Sequence, residues 1–280
     1  MAAPTDPAFY DAVIPMALRL GSKPEDLLWI WASETGYDPA LKGESRTIST
    51  LMHSGVVPSL LTEAEWGVLP ALSPTDQLPF VERYYKVIHD RYLGRGFQDA
   101  FEAYLANAGP GMLRRDGQYN QASVLYGDPN EPAAGVWANN YPMDNFPVAR
   151  QQATKRGVEL TLDFAKQLVS EGLLKGWITL GDLKNFMMRG DVVALANDAI
   201  KRLHDERAQL QMQVILTPAG YMPPSSAPYT PDFSKSFGNP DAPIDTRVAQ
   251  AMPRKRSLFS LPEVILVTGA VYLALRWLKK

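Results

Sequence analysis

Leu27-Leu28-Trp29-Ile30-Trp31-Ala32-Ser33-Glu34-Thr35-Gly36-Tyr37-Asp38-Pro39-Ala40 reads as a helix that ends in a carboxylate. Ser22 followed three residues later by Glu25 has the form of a capping box, with Pro24 just inside it, and Gly36 and Pro39 supply the stop signals. Leu27, Trp31 and Glu34 fall at i, i+4 and i+7, so the spacing turns Glu34 inward with the apolar stripe. A carboxylate in that position must be hydrogen-bonded or hold its proton more tightly than in water. Position alone leaves two roles open. Glu34 is either a poorly solvated acid able to donate a proton near neutral pH, or a group that caps a neighbouring element or pairs with an arginine.

Around this helix, composition narrows the field. A chain of 280 residues, 46% apolar and 21% charged, can bury one good core and still carry appendages. The formal net charge of -2 and pI near 6.0 argue against a nucleic-acid binder, which needs a basic face to neutralise phosphates. With no cysteine there are no disulfides, thiolate metal sites or cysteine nucleophiles. His53, His89 and His204 lie outside any HExxH pattern, so a zinc hydrolase is not expected, and no metal or cofactor is implied. Met1 to Pro7 has no basic segment leading into an apolar one, and no cleaved signal peptide is expected.

Read in order, the chain is mainly α. Thr5-Asp6-Pro7 opens a helix over about residues 7 to 20, with Phe9, Val13, Ile14 and Met16 on its apolar side and Gly21 at its end. Leu41 to Leu61 is loop-rich. Ser73-Pro74 starts a helix running to about Tyr92, with Val81, Tyr84, Tyr85 and Ile88 spaced for burial and Pro79 loosening its first turns. Phe97 to Leu105 forms another, ending at Asn107-Ala108-Gly109-Pro110-Gly111. Residues 127 to 147 look like a long connection. Helical periodicity returns over Val148 to Leu174, where Val158, Leu162, Ala165, Leu168 and Val169 share a side. Thr179 with Asp182 caps a helix to Met188, and Val192 to Leu216 is a long helix, apolar at Leu195, Ala196, Ala199, Ile200 and Leu203.

Several of these landmarks carry a family resemblance. Glu34-Thr35-Gly36-Tyr37-Asp38-Pro39-Ala40 resembles the Glu-Ser-x-x-x-Pro-x-Ala signature of lytic transglycosylases and goose-type lysozymes. Thr50-Leu51-Met52-His53 stands where that family carries Gly-Leu-x-Gln, with Thr in the glycine position and His in that of the glutamine that contacts an acetamido sugar. Ala106-Asn107-Ala108-Gly109 resembles part of its Ala-Tyr-Asn-Ala-Gly-x-Gly motif, with Ala106 at the tyrosine position. Tyr104, two residues earlier, faces elsewhere on an ideal helix. Residues 73 to 84 also resemble a segment of virion-associated phage transglycosylases, and the likeness as a whole covers roughly residues 20 to 130. It implies a lysozyme-like helical fold in which Glu34 is the catalytic acid and Met52, His53, Asn107 and Gly109 border the saccharide. The substrate it implies is the peptidoglycan glycan strand, cleaved between N-acetylmuramic acid and N-acetylglucosamine.

Beyond the helices the composition changes. Thr217 to Ile244 carries seven prolines among Ser, Asn and Gly and reads as an extended linker, so residues 1–216 are expected to stand alone. Arg254-Lys255-Arg256 then leads into the apolar segment Leu258 to Leu278, closed by Lys279-Lys280. As a helix from Leu261 this segment is about 27 Å long, close to a thin hydrocarbon core, and Trp277 suits an interface. It reads equally as a membrane anchor or as a helix packed on protein. The expected division is a lysozyme-like domain at 1–135, a helical extension at 136–216, a Pro-rich linker with a basic end at 217–257 and an apolar C-terminal helix at 258–280. The expected function is a phage virion transglycosylase acting on the bacterial envelope during entry, with anchoring in the bacterial inner membrane as the variant. The alternative is a catalytically inactive lysozyme-like structural subunit of a virion or secretion machine. A membrane-anchored scaffold in which Glu34 is merely paired is a third.

Overall fold

Pro24 to Glu34 forms a helix, α2, in which every residue but Glu25 is buried, and the other elements are arranged around it. An amphipathic stripe would have left one wet face, but a helix covered on all sides belongs in the centre of a core. The structure, a computed structural model, describes residues 2–38, 45–52, 56–57, 59–214 and 228–237. It is mainly helical, as expected.

α1, Pro7–Arg19, begins where the Asp6 carboxylate accepts from Ala8 N at 3.0 Å with Pro7 in the first turn. α2 follows, without the expected capping box. Its N-cap is Lys23, while Ser22 Oγ instead accepts from Phe97 N at 3.2 Å. There the chain crosses itself closely: a Cβ on Gly96 would lie 2.3 Å from the carbonyl oxygens of Leu20 and Gly21, so no larger residue fits.

The loop-rich region contains a small hairpin, β1 (Ser45–Arg46) paired antiparallel with β2 (Leu51–Met52), and a short helix, α3 (Glu63–Val68), held by a Thr62/Glu65 capping box. α4, Pro74–Ile88, starts as expected, with Ser73 Oγ accepting from Asp76 N, and Pro79 does not break it. A wider helical turn over His89–Leu93 ends it. α5, Ala100–Ala108, is capped by Asp99 and packs on α2.

Glu102 on α5 has a fully buried side chain and is gripped by four hydrogen bonds from three residues. Arg95 donates two bonds at 2.6 and 2.7 Å, Gln98 N one at 2.9 Å and the Tyr119 hydroxyl one at 2.9 Å. Removing one member of such a buried pair strands the other members' polar groups. Glu102→Ala is therefore expected to lower stability by about 3 kcal/mol, at the lower end for buried pairs because Arg95 keeps access to water. Chemical denaturation would measure it, and a loss under about 1 kcal/mol would mean that the cluster is not a stability element.

The connection over 127 to 147 holds a short helix, α6 (Trp137–Asn140), after the strand β3 (Val124–Tyr126). The periodic region splits into α7 (Phe146–Arg156) and α8 (Leu162–Ser170). Gly157, at φ +64, ends α7, so Val158 falls in the link and is exposed, not on the buried side. β4 (Ile178–Thr179) pairs antiparallel with β3, and the Thr179/Asp182 box opens α9 (Leu180–Met187) as expected. α10, Gly190–Val214, lies along α2 and α1 through buried Ala196, Ala199, Ile200 and Leu203.

Residues 136–214 pack into the same core as the helices before them. The apolar core continues from Ala3 into α10 and on to Phe233, and Trp29 of α2 donates its indole N–H to Met187 O at 3.1 Å. Inside the stretch read as linker, residues 228–237 form a strap seated on this body and closing in a short helix, α11 (Ser234–Phe237). The Tyr229 hydroxyl donates to Asp26, Ser236 Oγ donates to Asp99 at 2.7 Å, and Phe237 meets Phe101 with ring centroids 4.4 Å apart. Aromatic residues between the prolines supply the burial that a linker lacks. The apolar segment 258–278 lies outside the described residues, as does most of the linker. Among the described residues no helix is long and apolar enough to cross a membrane.

Candidate functional site

Glu34 is the last residue of α2 and is 3% exposed. Burial at this position raises its proton affinity, to a pKa of about 7. A helix C-terminus adds to the effect, since its partial negative charge disfavours a carboxylate. Three neighbours oppose the rise: a hydrogen bond from Thr50 Oγ1 to Glu34 Oε2 at 2.7 Å, the positive charge of Arg189 and the nearby Tyr104 hydroxyl.

Each neighbour is delivered by a different element. Thr50 closes the turn of the β1–β2 hairpin with φ +49, the left-handed region. The turn is fixed to α2 by Thr35, whose hydroxyl donates to Ile48 O at 2.9 Å, and to α4 by Gln77, whose Oε1 accepts from Ile48 N at 2.9 Å. Arg189 comes from the junction of α9 and α10. Its guanidinium donates to Ser33 O at 3.2 Å and to Phe186 O at 2.9 Å, pairs with Asp191 and stacks 3.8 Å from the Phe186 ring centroid. Tyr104 projects from α5; its hydroxyl is buried with no partner of hydrogen-bond geometry, close enough to favour the Glu34 carboxylate.

Of the residues expected to border the saccharide, Asn107 joins a buried polar chain next to the turn. Its Nδ2 donates to Ser49 Oγ at 3.1 Å, Ser49 Oγ bonds the Tyr85 hydroxyl at 2.6 Å, and Asn107 Oδ1 has no partner. Gly109 caps α5 and packs toward β3, where an added Cβ would meet Leu125 Cδ1 at 2.9 Å. Met52 ends β2, adjoining Leu51 and the Thr50 turn. His53 lies outside the described residues, as do Pro39 and Ala40 of the Glu34 string.

Tyr104, Thr50 as a hydrogen-bond donor and Arg189 are what sequence reasoning missed. An ideal helix directs Tyr104 away from the motif position, but in α5 its hydroxyl lies close to Glu34 and Ser33 of α2, while Ala106 offers its carbonyl to the Tyr84 hydroxyl at 2.8 Å. The one available signal for Arg189 was a lone arginine between two helices. Among the described residues no group of acidic or histidine side chains has the form of a metal site. No protein-family model, curated protein or solved structure matches the chain.

Proposed function

We propose that this protein is a peptidoglycan lytic transglycosylase whose acid is Glu34. The observation that carries the reading is a single carboxyl group, buried at the end of the central helix, oriented by Thr50 and with a pKa near 7. Such a group can hold a proton at neutral pH, give it to a glycosidic oxygen, and then exist as a carboxylate beside Arg189. In the second step that carboxylate draws the proton from the 6-hydroxyl of the muramic residue as its oxygen attacks the anomeric carbon, leaving a 1,6-anhydro end. Ordinary glycosidases need two carboxyl groups. None of the groups acting on Glu34 among the described residues is a second carboxylate, which favours the intramolecular route. Asn107, Gly109, Met52 and His53 are proposed to border the sugar. The apolar segment 258–278, flanked by cations, is proposed to contact a membrane or a virion protein when a phage particle delivers the chain to the bacterial envelope.

A second reading is favoured by the 3% exposure of Glu34: a lysozyme-like structural subunit, of a virion or secretion machine, in which the carboxyl group is closed off. Incubating the purified protein with peptidoglycan and analysing the products by mass separates the two. Muropeptides with anhydro ends are expected. Reducing ends would mean hydrolysis with water as the nucleophile, and no release would favour the structural subunit.

A further inference from the structure

Thr50 sits in a conformation that its side chain disfavours. A β-branched residue at φ +49 is a backbone outlier, of the kind tolerated where the surrounding structure holds it and often where function uses it. The turn is strained twice, since Thr47 lies at φ +74. Glycine would relieve the strain at residue 50 without cost to the hairpin's path. What glycine would lose is the hydroxyl, and that hydroxyl is the only group whose hydrogen bond to Glu34 has good geometry among the described residues.

We propose that Thr50 is a positioning residue for Glu34, its strained backbone retained because it aims the hydroxyl at Oε2. The consequence is an assignment of atoms. With Oε2 accepting from Thr50, the transferable proton of Glu34 is held on Oε1, and the carboxyl plane is fixed before any substrate arrives. After that proton leaves, the same bond stabilises the carboxylate that must act as base. The two oxygens are therefore not equivalent in either step. This inference rests on Glu34 being the acid only for its effect on turnover, because the Thr50–Glu34 interaction itself can be read without any substrate.

The test uses Thr50→Gly and Thr50→Ser in the full chain, with three readouts: thermal unfolding, the titration of the Glu34 carboxyl carbon followed by NMR in protein carrying labelled glutamate, and release of anhydro-muropeptides. Thr50→Gly is expected to melt no lower than wild type, because strain is relieved as the bond is lost. Its Glu34 titration midpoint should move up by about 1 pH unit, since a hydrogen bond to the charged form has been removed, and its rate should fall about tenfold or more. Thr50→Ser keeps a hydroxyl and should restore both the midpoint and most of the rate. An unmoved midpoint in Thr50→Gly, or a midpoint that serine fails to restore, overturns the proposal and leaves Thr50 as a turn residue. A large drop in melting temperature for Thr50→Gly overturns it too. If the midpoint moves as expected while wild type releases no product, Thr50 does position Glu34 and it is the transglycosylase reading that fails.

Discussion

Glu34→Gln is expected to reduce muropeptide release about a thousandfold while making the protein more stable. Both effects come from one proton. Glutamine keeps the shape and can still accept from Thr50, but it has nothing to donate to a leaving oxygen. The stability change follows from the carboxyl group's pKa, raised from an ordinary 4.5 to about 7 by burial at 3% exposure. An acid with a raised folded-state pKa destabilises the fold increasingly as pH climbs from its unfolded value to its folded one, and by the full amount above that. The gain from glutamine should thus be absent below about pH 4.5 and level off above about pH 7 at no more than about 3 kcal/mol. That figure already includes the carboxylate's attraction to Arg189, which holds the rise in check. Denaturation curves at pH 4, 6 and 8 would measure it. A variant as unstable as it is inactive would point to Glu34 as a structural group, and retained activity would end its assignment as the acid.

Ending the chain at Leu216 is expected to cost more than a linker's removal should. Compared with a chain ending at 240, the shorter one lacks Tyr229, Phe233, Ser236 and Phe237, and so uncovers Phe101 and deprives Asp26 and Asp99 of their hydroxyl donors. Loss of these contacts, about 3 kcal/mol, corresponds to roughly 6–12 °C in melting temperature for a body of this size. Burial raises both Asp26 and Asp99 to about 6, and the strap's own hydroxyls, from Tyr229 and Ser236, act against that rise. Thermal unfolding of the two lengths side by side measures the difference. Equal melting would show the strap to be an ornament.

How much of this was legible in the sequence depended on whether a feature is local. Asp6-Pro7, Ser73-Pro74 and Thr179 with Asp182 mark helix starts because a cap needs only neighbours along the chain. Glu34 could be placed at a buried helix end from its spacing and the glycine that follows. Ser22 could not be read correctly, because its hydroxyl had a better partner in Phe97, which is brought close by the tight crossing at Gly96. The groups that act on Glu34 were least visible. Tyr104 depends on the rotation of α5 against α2, Thr50 on a left-handed turn that threonine seldom adopts, and Arg189 on a partner 156 residues earlier. The strap was hidden by its prolines, which read as a spacer while the aromatic residues between them do the packing.

The position of α2 has a consequence for how the molecule is made. This helix is synthesised early, but its indole donor at Trp29 waits for a carbonyl 158 residues later, Ser33 for an arginine 156 later, and Asp26 for a tyrosine 203 later. At a typical elongation rate of about 5–20 residues per second, α2 spends on the order of ten seconds or more outside the ribosome before its last partners emerge. Trp29, Ile30 and Trp31 are apolar surface during that interval, exposed to chaperones and to other nascent chains. The segment that carries the proposed acid cannot finish folding until residues 187 to 229 have emerged, so a chain released before Arg189 has the Glu34 carboxyl but no finished surroundings for it.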